Sequence, residues 1–232
     1  MFYWNPMYFV FALPAMLLAM WAQMRVRSAY GKYLRVPNQR GVTGLQAADH
    51  LLRAQGLAGV RVEGARGELT DHYDPRKKTL HLSRGVAEGR SLAALSIVAH
   101  EVGHAVQDHT NYGPLRIRSG IVPMVTLSAY LGPIVFIAGL MFESMGVAWL
   151  GLILFSLSAV FALLTLPVER NASQRALQML RTNGLIVQGQ EEAAARQVLD
   201  AAALTYVAAL VQVISTLLYY VFLLTGFSRR RD

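Results

Sequence analysis

The chain contains no cysteine. Disulfides, thiolate metal ligands and a cysteine nucleophile are therefore excluded, and any bound metal must rely on histidine or carboxylate. Charge is also scarce. Asp, Glu, Lys and Arg make up 16% of the 232 residues, against about a quarter in soluble domains. Acidic residues number 14 against 22 Lys and Arg, giving a formal net charge of +8. No nucleic-acid motif accompanies that excess. Basic residues flank apolar stretches, where they meet anionic lipid and set topology. Within 119–142, 147–166 and 203–226 there is no charged residue at all. Ion pathways carry ionisable or polar groups inside the membrane, so transport and channel functions are disfavoured.

What is present is apolar sequence in blocks. The chain is 54% hydrophobic with a mean hydropathy of +0.34. Four stretches suffice to cross a hydrocarbon layer of roughly 30 Å: 4–24, 119–142, 147–166 and 203–226. The first contains Pro14, with Trp4, Tyr8 and Trp21 near its ends. It reads as a span rather than a signal peptide, since no basic leader precedes the apolar run and no small-residue cleavage site follows it. The middle two are joined by a short link at Glu143 to Gly146 and predict an antiparallel pair. Tyr206, Tyr219 and Tyr220 are candidate interfacial anchors in the last. Gly132, Gly139, Gly151 and Ala159 permit close helix packing within one chain or between chains.

Polar sequence fills 25–118 and 167–202, and a basic tail occupies 227–232. Fifteen of the 22 Lys and Arg lie in 25–118, beginning with Arg25, Arg27, Lys32, Arg35 and Arg40. The positive-inside rule then places both polar regions in the cytosol, against the smaller pull of Arg229, Arg230 and Arg231. Spans and polar regions are expected to form one integrated domain, mainly α-helical. Within 25–118, Thr43 predicts the cap of a helix over 43–55 with Gly56 as its stop. His50 on that helix reads as a surface residue. Short alternating runs at 60–63, 68–73 and 78–82 predict a small sheet or hairpin, with a turn at Asp74-Pro75-Arg76-Lys77. His81 reads as a surface residue of the same hairpin.

The chemistry lies in His100-Glu101-Val102-Gly103-His104. Residues four apart share one helix face, one turn from each other. Two imidazoles so placed can grip one Zn2+, with Glu101 beside the open position, able to take a proton from an activated water. Leu95, Ile97, Val98 and Ala99 make the preceding helix apolar. Two histidines and a glutamate are costly to bury there unless paired or metal-bound. Gly103 gives up roughly 1 kcal/mol of helix propensity relative to Ala, which fits a position that something approaches closely.

A catalytic zinc site usually has three protein ligands. His109 falls about 140° off the face of His104 and is read as solvent-facing. The best third ligand is Glu169, in a helix expected to begin at Pro167 after the third span. Two spans, an even number, separate it from His104, so both lie on one side of the membrane in either orientation. Glu143 would lie on the opposite side, and Glu191 and Glu192 are further along. The bland alternative makes Glu169 a carboxylate complementing a helix N-terminus.

Several motifs together resemble the YugP-like membrane zinc metallopeptidases of bacteria, also called neutral zinc metallopeptidases. They are Thr43-Gly44, Leu69-Thr-Asp-His-Tyr-Asp-Pro75, Leu82-Ser83, Ala99-His-Glu-Val-Gly-His-Ala-Val-Gln107 and Pro167-Val-Glu-x-x-Ala-Ser-x-x-Ala176. The resemblance covers nearly the whole chain. It implies a multi-pass membrane zinc endopeptidase, with a gluzincin-like core, in the bacterial cytoplasmic membrane. The partners it implies are protein or peptide substrates near the bilayer, with an oligomer or accessory membrane partner left open. The chain is more distantly similar to HtpX-type and CAAX-type proteases, whose later E-x-x-A-D motif ends here in Ser173. In those enzymes that Asp bonds to a zinc-bound His, a role that would pass here to Ser173, to Asn171 or to a carboxylate elsewhere. The 71–74 cluster reads equally as turn chemistry or as an edge strand beside the cleft. In the second case His72 or Tyr73, or Arg175 elsewhere, would donate to the oxyanion. The rival to an enzyme is a zinc-binding scaffold or pseudo-protease without catalysis.

Overall fold

The computed structural model describes residues 6–228. Trp4 and the Arg229, Arg230 and Arg231 tail lie outside the described residues. The order of elements is α1 (Pro6–Leu34), α2 (Gly44–Ala54), β1 (Arg61–Ala65), β2 (His72–Asp74), β3 (Thr79–Ser83), α3 (Arg84–Ala87), α4 (Leu92–His109), α5 (Gly113–Met141), α6 (Met145–Thr182) and α7 (Gln190–Ser228). The fold is mainly helical with one small sheet, as expected. Helices α1, α5, α6 and α7 are long and apolar enough to cross a membrane.

The chain divides into two compact units. One is built from the apolar stretches up to Ala22, Ile117–Leu166 and from Thr205 onward. Inside it, α5 and α6 pack backbone to backbone. A Cβ at Gly139 would lie 2.2 Å from the Ala148 nitrogen, and one at Gly151 would lie 2.2 Å from that of Phe136. These glycines therefore serve contact within the chain. Phe136 stacks on Tyr220 at 4.1 Å. Leu127, Ile134, Ile153 and Leu163 stay about 60% exposed, the pattern of side chains that face lipid rather than water.

The other unit comprises Gln23–Arg116 and Pro167–Leu204. Residues on both sides of the two central spans thus share one unit, as the even span count requires. Helix α2 starts on a capping box, in which the Thr43 hydroxyl accepts the Gln46 N–H and the Gln46 side chain accepts the Thr43 N–H. Its apolar face buries Ala47, Ala48, Leu51 and Leu52 in one core with Leu95, Val98 and Val102 of α4 and Leu80 and Leu82 of β3. Gly44 has to be glycine, because a Cβ there would lie 2.1 Å from the Val86 carbonyl oxygen.

The sheet has the order β1-β3-β2, with β1 parallel and β2 antiparallel to β3. The strand expected over 68–73 shrinks to His72–Asp74. Gly67 and Leu69 turn through positive φ, +95° and +56°, and the Asp71 carboxylate accepts the N–H and hydroxyl of Ser83. The largest correction concerns Pro167. No new helix begins there, because α6 runs unbroken from Met145 to Thr182 with Pro167 inside. Proline removes one helical hydrogen bond and crowds the carbonyl four residues back, a cost that the long helical sequence on both sides absorbs. Glu169 is consequently a mid-helix residue, and complementing a helix N-terminus does not explain it. The other spans lengthen likewise: α1 continues to Leu34, α5 starts at Gly113 and α7 starts at Gln190.

Candidate metal centre

Helix α4 is started by the Ser91 side chain, which accepts the Ala94 N–H at 3.1 Å. Residues 92–96, Val98 and Ala99 of its first turns are buried. His100 and His104 then fall one turn apart, with side chains 12% and 14% exposed. Helix α6 crosses α4 at Gly103. A Cβ on Gly103 would lie 2.7 Å from the Ala172 carbonyl oxygen, so this glycine is what lets the two helices meet. The meeting brings the Glu169 carboxylate onto both imidazoles.

Glu169 Oε2 lies 3.2 Å from His100 Nε2 and 3.4 Å from His104 Nε2. All three ligand atoms fall within 4.8 Å of one another. In a tetrahedral zinc site, bonds of about 2.0–2.1 Å put neighbouring ligand atoms roughly 3.3 Å apart. The two measured separations match that spacing. The donor set of two imidazole nitrogens and one carboxylate oxygen also suits zinc.

The far side of each imidazole is also held. His100 Nδ1 lies 3.2 Å from Ser173 Oγ, and His104 Nδ1 lies 3.0 Å from Gln107 Oε1. Gln107 is fully buried, and its amide N–H groups go to the Val168 carbonyl at 2.8 Å and Asn171 Oδ1 at 3.0 Å. That leaves Gln107 Oε1 as an acceptor for a proton on His104 Nδ1, the arrangement in which Nε2 can bind a metal. Asn171 Oδ1 also accepts Arg175 Nε at 2.8 Å. Ser173 thus touches a histidine, and Asn171 reaches the other one through Gln107. Gln107 escaped sequence reasoning, although its spacing three residues past His104 is a usable signal.

Electrostatics favour a cation at this point. Burial alone would raise the Glu169 carboxyl, but hydrogen bonds from His100 and His104 outweigh it and hold the group well below the carboxylate range. Burial opposes charge on His104 as well, yet bonding to Glu169 and the nearby Glu101 carboxylate raise its pKa. Burial pushes the Glu101 carboxyl upward, with both imidazoles pulling the other way. Glu101 Oε2 accepts the Tyr73 backbone N–H at 3.0 Å, so β2 does lie beside the motif.

The remaining candidates are placed as follows. The Tyr73 hydroxyl donates to Asp108 Oδ2 at 2.8 Å. His72 is exposed, with Nδ1 2.8 Å from the Thr70 carbonyl and its ring stacked on His81 at 4.6 Å. His50 and His109 are exposed. Glu191 is buried elsewhere, accepting the N–H groups of Gln39 and Val187.

Four membrane-length helices and a buried His-His-Glu cluster define a multi-pass membrane protein with a candidate metal centre. Residues 8–225 match the family described as "Putative neutral zinc metallopeptidase". The chain belongs to that family. It is 44% identical over 222 residues to the Bacillus subtilis (strain 168) protein named "Putative membrane protease YugP", covering 95% of this chain and 98% of that one. No solved structure gives a significant match.

The role of Gln107 is open to test. Gln107→Ala should weaken zinc binding about 10–100-fold, read by competition with a chromophoric chelator. Unchanged affinity would show that His104 needs no such support.

Proposed function

We propose that the chain is a zinc-dependent endopeptidase in which His100, His104 and Glu169 hold the metal and Glu101 is the general base. The observation that carries this reading is the convergence of two Nε2 atoms and one carboxylate oxygen beside Glu101. When bound, zinc polarises the scissile carbonyl and brings the pKa of the attacking water toward about 7. Glu101 Oε2 is anchored by the Tyr73 amide, which fixes the carboxylate that takes the water's proton. The raised pKa of this buried carboxyl suits a group that first accepts a proton and then delivers it to the leaving amine. Gln107 Oε1 favours the His104 tautomer whose Nε2 can take the metal, and Ser173 Oγ can accept from His100 Nδ1 in the same way.

Of the candidates His72, Tyr73 and Arg175, the Tyr73 hydroxyl is already given to Asp108, which leaves His72 or Arg175 as the oxyanion donor in this reading. Arg175 is the more available of the two, because its guanidinium has further N–H groups beyond the one given to Asn171. An extended substrate would lie along β2, the edge strand beside Glu101. The substrates are proteins or peptides close to the bilayer. In this reading the site faces the cytosol at the bacterial cytoplasmic membrane, which the basic residues after the first span support.

Glu101→Gln should keep zinc and lose at least a hundredfold in hydrolysis of fluorescein-labelled casein by the detergent-purified protein. Full activity in that variant would remove Glu101 from the mechanism. Zinc-replete wild type without hydrolysis of any probe would favour a scaffold. Orientation is directly testable because the chain has no cysteine. Asp49→Cys should resist a membrane-impermeant maleimide in intact cells, while Ser144→Cys should react. The reverse pattern would put the site outside.

A further inference from the structure

Glu101 and Asp108 are seven residues apart on α4, two turns along one face. Both hold the same residue of the neighbouring strand. Glu101 Oε2 accepts the Tyr73 backbone N–H at 3.0 Å, and Asp108 Oδ2 accepts the Tyr73 hydroxyl at 2.8 Å. The Lys78 ammonium, at the end of the β2–β3 turn, also donates to Asp108 Oδ2. We propose that Asp108 is a positioning residue for hydrolysis: it fixes Tyr73 by its hydroxyl, so that the Tyr73 amide in turn fixes the Glu101 carboxylate. The inference rests on the reading of Glu101 as general base.

Three features make the tie more than incidental packing. Strand β2 is only three residues long, so its ladder bonds alone define its register weakly. A one-residue slip would turn Tyr73 to the opposite face and take its N–H away from Glu101. The tie is also partly shielded, since the Asp108 side chain is 21% exposed and Tyr73 is half-buried. A charge-assisted bond from a hydroxyl to such a carboxylate is among the stronger kinds. Lys78 adds little, because its side chain is 57% exposed and exposed ion pairs contribute weakly. The Tyr73 hydroxyl therefore carries the effect. Finally, Asp108 touches none of His100, His104 and Glu169 in any bond described, so its loss should spare the metal.

The test is steady-state hydrolysis of fluorescein-labelled casein by the full-length, zinc-loaded protein, with zinc content measured beside it. Asp108→Ala and Tyr73→Phe should each lower kcat about tenfold. Zinc should stay at about one per chain and KM within about twofold. The double variant should be no worse than the poorer single, because both changes cut one bond. Asp108→Asn, whose amide oxygen still accepts the hydroxyl, should recover most of kcat. Unchanged kcat, a loss confined to KM, or losses that multiply in the double variant would each overturn the proposal. If Asp108→Ala fails to fold, Tyr73→Phe decides alone, since it removes a single oxygen. Failure of the underlying reading is separable. A fully active Glu101→Gln sinks the base assignment, whereas an inactive Glu101→Gln beside unchanged kcat in the other variants sinks only the tie.

Discussion

An ionised carboxylate taken out of water costs several kcal/mol unless a cation or several hydrogen bonds meet it. Glu169 is 3% exposed and lies against the imidazoles of His100 and His104. Much of the polar unit can be read as a consequence. Helices α4 and α6 must approach closely enough for the three side chains to converge, so Gly103 gives up its side chain to the Ala172 carbonyl. The imidazoles must turn their Nε2 atoms inward, so Ser173 and Gln107 occupy the Nδ1 sides. Gln107 must not rotate, so its amide is bonded to Val168 and Asn171. A purely structural helix crossing would gain nothing from this arrangement and would be simpler built from apolar residues.

Glu169, the proposed third ligand, is carried by α6. The same helix contributes its apolar part to one unit and, from Pro167, its polar part to the other. A ligand carried this way needs no loop to position it. Sites on regular elements are held more precisely than sites on loops, and a peptidase needs its base and metal ligands fixed to within a fraction of an ångström.

The sequence made several of these features legible, each for a physical reason. The His100–His104 pair was visible because helical periodicity puts residues four apart on one face. Glu169 was visible because counting spans leaves few carboxylates on the correct side. Gly103 was visible because glycine in a buried helix asks for a neighbour. Thr43 was visible as a helix cap, and the structure adds Gln46 as its reciprocal partner. The unbroken helix through Pro167 was not, because one proline reads as a boundary locally while helical context on both sides overrides it. Central β3 with a parallel neighbour was not, because strand order depends on contacts distant in sequence. The Tyr73–Asp108 bond spans 35 residues, and no local pattern announces it.

The central claim is that His100, His104 and Glu169 together hold one zinc ion. The most direct test is the metal content of purified wild-type protein beside His104→Ala and Glu169→Ala. The account predicts about one zinc per wild-type chain and loss of it in both variants. Zinc retained at full occupancy and affinity in Glu169→Ala would contradict the role given to that carboxylate. Wild-type protein that takes up no zinc when it is supplied would contradict the whole centre.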